Sequence, residues 1–101
     1  MMDICEITRQ LESEWDDGFF EGVRNGKFDV NDGERLIGLL KKIHVDSDGV
    51  FPKRMVTLLW YLPSFLEWQV ARVDEVSGNV EEYKRFTVDV MNVLEDRLGL
   101  P

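Results

Sequence analysis

Apolar residues recur every three or four positions along most of this chain, and that period decides the fold class before any other feature is weighed. Ile4, Ile7, Leu11, Trp15, Phe19 and Val23 form one such stripe, and Val80, Tyr83, Phe86, Val90, Met91, Leu94 and Leu98 form another. An α-helix turns once in 3.6 residues, so each set lies along one side of a helix that needs a partner to cover it. No strand-length run alternates strictly between apolar and polar residues within turn boundaries. With 101 residues there is room for one core and no second domain. The expectation is an all-α fold, a compact bundle of four to five antiparallel helices occupying residues 1–101.

Local signals divide the bundle. The first helix is expected from Asp3 to about Asn25, with Gly18 and Gly22 weakening its second half and Asn25-Gly26 stopping it. Asn31 followed by Glu34 matches a capping box, so a second helix is expected from Asp32 to His44, with Lys41 and Lys42 outward in its last turn. Val45 to Gly49 reads as a loop. Pro52 suits the start of a third helix, Lys53 to Ser77, which Pro63 must kink or split because proline lacks an amide hydrogen and crowds the carbonyl of Leu59. Ser64 and Glu67 could cap a restart. Its first half, Met55 to Leu62, is apolar nearly all round, which predicts a path through the centre of the fold. Gly78 ends it, and Asn79 with Glu82 offers a cap for the last helix, which Gly99 closes.

Counting removes most chemistries. His44 is the single histidine and Cys5 the single cysteine, too few for the usual zinc or two-histidine iron sites. Asp46, Asp48 and Gly49 superficially suggest a calcium loop, but one register puts Phe51 at the required glycine and the other puts Met55 at the terminal glutamate. There is no glycine-rich phosphate loop and no nucleophile elbow. Neither enzyme activity nor a cofactor or metal is expected. The lone cysteine excludes an internal disulfide and suits a reducing compartment, and no secretory leader or membrane-spanning run of roughly 18 apolar residues is visible, so a cytoplasmic location is expected.

Acidic residues number 20 against 12 lysines and arginines, a net charge of −8 that disfavours a nucleic-acid partner. Residues 1–24 alone carry seven acids against two bases. Glu12, Glu14, Asp16, Asp17 and Glu21 fall between the apolar positions of the first helix, and Glu14, Asp17 and Glu21, at spacings of three and four, are expected to share a helix face. Such a concentration of charge would speed encounter with a basic protein. Tyr61, Phe65 and Trp68 form a helical stripe with Trp60 beside it, expected to be core, with a partner-binding groove as the alternative.

In size, helical content and the acids Glu12, Glu14, Asp16, Asp17 and Glu21, the chain resembles the small acidic immunity proteins that bacteria make against their own secreted toxins. That resemblance implies a non-enzymatic inhibitor whose protein partner is a basic, nuclease-like toxin domain, with those acids as the contact set and an exposed aromatic such as Trp68 as anchor. The alternative is a helical adaptor or self-associating protein, monomer or homodimer, that grips its partner with the Tyr61/Phe65/Trp68 stripe.

Overall fold

Helix α1 (Ile4–Asp16) begins where the sequence suggests, with Asp3 as its cap: the Glu6 amide donates to the Asp3 carboxylate at 2.9 Å. That bond satisfies one of the free amides of the first turn. The computed structural model describes residues 3–44 and 50–100; the expected loop at Val45 to Gly49, with Asp46 and Asp48, lies outside the described residues.

The first helix is not continuous to Asn25. Asp17 closes α1, and α2 (Phe19–Arg24) starts after Gly18. A Cβ on Gly18 would stand 2.2 Å from Oε1 of Glu14 and 2.8 Å from its Cα, so the corner needs a glycine. The break lets Phe19 and Phe20, neighbours in sequence, both reach the interior at 2% and 0% exposure. In an unbroken helix one of them would leave the apolar stripe. Asn25 and Gly26 stop α2 as expected, Gly26 adopting a φ of +80°. A consequence is that Glu14, Asp17 and Glu21 do not share a helix face.

Helix α3 (Val30–Leu40) starts earlier than the Asn31–Glu34 pattern suggests because Asp29 is the better cap, accepting from the Asn31 amide at 2.7 Å and the Asp32 amide at 3.3 Å. It ends at Leu40, before the two lysines, yet Ile43 beyond it is still fully buried.

The expected third helix is split twice, into α4 (Lys53–Trp60), α5 (Leu62–Trp68) and α6 (Val70–Val76), which follow one another across single residues, Tyr61 and Gln69. Pro63 accounts for the first break, standing in the opening turn of α5, where its missing amide costs nothing. The Leu59 carbonyl that proline leaves without its usual donor accepts from the Tyr61 amide. Ser64 and Glu67 do not cap the restart; Tyr61 does, through its backbone position alone. At the second break the Leu66 carbonyl accepts from the Gln69 amide at 3.3 Å and from the buried Tyr83 hydroxyl at 2.7 Å. That hydroxyl ties α5 to α7 (Val80–Leu98), the longest helix. Burial pushes the Tyr83 phenol well above its usual range.

With α4, α5 and α6 taken as one broken arm, the described residues form five helical units and contain no strand, a small all-α bundle. Helix α1 packs on α2, α3 and α4, and α7 packs on α3, α5 and α6. Between them lies an interior rich in rings: Phe19, Phe28, Phe86 and Tyr83 meet mostly edge-on or tilted at 5.1 to 6.4 Å. Such geometry suits the ring quadrupoles and adds about 0.5–1.5 kcal/mol per pair beyond burial. The turn between α6 and α7 is laced to the α2–α3 loop: the Ser77 hydroxyl donates to the Gly26 carbonyl, the Phe28 amide donates to Ser77 Oγ at 3.2 Å, and the Asn79 amide group donates to the Phe28 carbonyl at 3.0 Å. Asn79 thus spends its side chain on this loop rather than on capping α7. Among the described residues, no helix is long and apolar enough to cross a membrane.

Candidate partner-binding surface

The acids of the first segment have separate fates. Glu14 is 8% exposed and turned against α3, where Arg35 grips it with Nη2 at 2.8 Å and Nε at 3.1 Å. Arg35 also donates to Asp32 at 2.7 Å, and these bonds, from Glu14 first and Asp32 second, hold its guanidinium firmly in the charged form. Glu12, two residues earlier in α1, accepts from Arg54 Nε at 2.9 Å and so ties α1 to α4. Glu21 lies on α2, 3.6 Å from the Arg24 guanidinium and 3.3 Å from the Asn25 amide group. Asp16 and Asp17 are exposed and make no ion pair among the described residues. The expected acidic contact set is therefore not one open face; arginines occupy three of its five members.

The aromatic stripe divides as well. Phe65 is core, its ring edge-on to Trp15 at 4.9 Å and to Phe20 at 5.4 Å. Trp60 and Trp68 stand 66% and 63% exposed, and Tyr61 36%. The breaks in the third arm explain this outcome. Trp60 ends α4 and Trp68 ends α5, so the expected path of an all-apolar helix through the centre is replaced by short helices with one face inward. Met55, Leu58, Leu59 and Leu62 fill the interior, while Val56 and Trp60, four residues apart, share the outer face. The exposed rings are contiguous: Trp60 meets Tyr61 edge-on at 5.6 Å, and Tyr61 meets Trp68 edge-on at 5.6 Å. Scattered exposed apolar residues are ordinary on a folded protein, whereas two tryptophans bridged by a tyrosine form a patch of the kind partners use as an anchor.

Beside this ridge is a cleft of about 270 Å³ lined by Trp15, Trp60 and Tyr61 and by the guanidinium-bearing Arg24 and Arg54. Trp15 forms its inner wall, stacked on Phe20 at 3.8 Å with the rings 7° from parallel. Its indole Nε1 is out of reach of water and has no acceptor among the described residues. Arg24 is steadied by the face of Phe65, 5.5 Å from the ring centre.

Arg24 and Arg54 did not stand out in the sequence, and Trp60 was noted only as standing beside the Tyr61, Phe65 and Trp68 stripe. The available signal was the Val56–Trp60 spacing together with a proline three residues after Trp60, which breaks the helix and turns its last residue outward. The isolated Cys5 and His44 are both exposed, and no group of three His, Cys, Asp or Glu residues among the described ones is placed to hold a metal ion. In comparisons with known proteins, no family model, no curated protein and no solved structure matches this chain.

Proposed function

We propose that this chain is a non-enzymatic protein-binding domain that docks its partner on the ridge formed by Trp60, Tyr61 and Trp68. The contiguous exposure of these three rings is the observation that carries the reading. Each ring can bury a large area while keeping a polar atom for the rim, and the breaks at Tyr61 and Gln69 hold the ridge on short, well-packed helices. The free, exposed thiol of Cys5 suits a reducing, cytoplasmic setting.

A second reading, a toxin-neutralising immunity protein with a basic target, draws support from the net charge of −8 and from Asp16 and Asp17, exposed without ion pairs among the described residues. The two readings share a partner surface in the aromatic ridge and differ in what the acids do.

The test is capture of partners on immobilised protein with stepped salt elution, repeated with Trp60→Ala, Trp68→Ala and the pair Asp16→Lys, Asp17→Lys. Both tryptophans are largely exposed, so their loss leaves the fold intact. Each alanine variant should weaken the complex by about 2 kcal/mol, roughly thirtyfold. Retention equal to wild type in both would refute the ridge. Salt-sensitive association that slows markedly in the lysine pair would favour the immunity reading, with a basic toxin domain as partner.

A further inference from the structure

The charge lining the aromatic cleft is opposite to that of the molecule. In a chain of net charge −8, Arg24 and Arg54 both reach this 270 Å³ space, and no carboxylate among the described residues lines it. Each guanidinium is about half exposed and is engaged through a single nitrogen: Arg54 through Nε to Glu12 at 2.9 Å, Arg24 through Nη1 to Glu21 at 3.6 Å. A guanidinium has five N–H donors, so both retain donor edges for a further acceptor. The remaining wall is largely aromatic, with Trp15, Trp60 and Tyr61 beside Thr57 and Leu58.

We propose that this cleft is an anchoring site for a carboxylate side chain of the partner, presented next to a bulky apolar residue. The guanidiniums of Arg24 and Arg54 take the carboxylate, and the rings of Trp15, Trp60 and Tyr61 take the apolar neighbour. The size fits a side-chain-sized occupant, since the volume lies just below the range of about 300–1,000 Å³ typical of small-molecule sites. The overall charge selects against a polyanion such as nucleic acid, which would meet the acidic remainder of the surface, whereas a single carboxylate can take the donor edges that the two guanidiniums keep beside Glu12 and Glu21. Arginine is suited to this task by its fixed fork of donors, which matches the two oxygens of a carboxylate. The inference rests on the protein-binding reading and adds to it the chemistry of the partner's anchor.

The probe is a capped peptide, acetyl-Ala-Leu-Glu-Phe-Ala-amide, titrated into the full chain and followed by tryptophan fluorescence and by calorimetry. Two of the three tryptophans, Trp15 and Trp60, line the cleft and report directly. The same peptide with Gln in place of Glu should bind roughly tenfold more weakly. Arg54→Gln should lower affinity for the Glu peptide to that of the Gln peptide and leave the Gln peptide unaffected. Glu12→Gln, which releases Arg54 from its internal carboxylate, should tighten the Glu peptide. Circular dichroism of each variant verifies its fold. Equal binding of the two peptides, with both lost in Trp60→Ala, would overturn carboxylate recognition while leaving the aromatic ridge in place. No saturable binding of either peptide would overturn the anchoring site, and partner capture by the Trp68→Ala variant would still judge the ridge independently.

Discussion

Replacing Glu14 by glutamine tests whether the acids of the first segment are structural or available. The two oxygens of Glu14 accept from Arg35 at 2.8 and 3.1 Å, and its side chain is 11% exposed while that of Arg35 is 53% exposed. Exposed pairs of this kind are worth about 0.2–1 kcal/mol, and removing one partner of a fully buried pair costs about 3–5 kcal/mol. This pair has one buried and one half-exposed end, and Asp32 at 2.7 Å still partners Arg35 after the change, which puts the cost at about 1–2 kcal/mol. Glutamine keeps the shape but offers one acceptor where two are used, and its amino group then faces a guanidinium donor. For a domain of this size each kcal/mol lowers Tm by about 4–8 °C, so Glu14→Gln should melt about 4–16 °C below wild type in far-ultraviolet circular dichroism. Glu12→Gln is the internal control. Its bond to Arg54 joins side chains 37% and 55% exposed, and its loss should cost less than about 1 kcal/mol. A Glu14→Gln protein melting within about 2 °C of wild type, or a Glu12 variant as damaged as the Glu14 variant, would refute the assignment of Glu14 to the frame of the fold.

Two further changes probe the packing that holds the site. Gly26→Ala should destabilise by more than about 2 kcal/mol, read as a lower midpoint in urea. Its φ of +80° disfavours a side chain, and the added Cβ would lie 2.7 Å from the Arg72 carbonyl and from Val76, pressing α6 away from the loop. The Tyr83 phenol, raised by burial above an unfolded value of about 10, gives stability that is complete below about pH 10. Above that pH the unfolded chain releases the proton first, so stability should fall by up to about 1.4 kcal/mol per pH unit until the folded phenol ionises. Tyr83→Phe should remove that component of the alkaline slope and, by deleting the 2.7 Å bond to the Leu66 carbonyl, cost about 1 kcal/mol at neutral pH.

The helical class and several boundaries were legible because they depend on local chemistry: the start of the first helix at Asp3, Asn25-Gly26 as a stop, and Gly99 with its φ of +90° closing α7. The corner at Asp17-Gly18 was hidden by its own pattern. Phe19 and Val23 continue the spacing of Ile4 to Trp15, so the apolar stripe looks unbroken whether or not the axis turns. The one residue that betrays the turn is Phe20, which a straight helix would leave off the stripe and the structure buries completely. A similar limit applied to Trp60, Tyr61 and Trp68. Composition alone shows that Met55 to Leu62 is apolar on every side, which is compatible with a central helix or with a helix whose outer face is a docking surface. What separates them is whether neighbours exist to cover that side, and this depends on contacts between segments distant in sequence.

The acidic segment and the aromatic cleft, read separately along the chain, are coupled in space. Glu12 holds Arg54 and Glu21 holds Arg24, and these are the two cations that line the cleft. A long arginine left without a partner would sample many rotamers, and ordering it on binding would cost about 0.5–1.5 kcal/mol. The two carboxylates reduce that cost by restricting the guanidiniums beforehand, and they also screen the charge the site presents at a distance. The same two glutamates therefore act in opposite directions on a carboxylate ligand, competing for donors and preorganising them. Because Arg54 is held by a bond of 2.9 Å and Arg24 by one of 3.6 Å, competition dominates at Arg54 and preorganisation by the Phe65 ring dominates at Arg24. On this basis the acid-rich first segment owes part of its composition to the arginines it positions, and its charge is partly spent before any partner arrives.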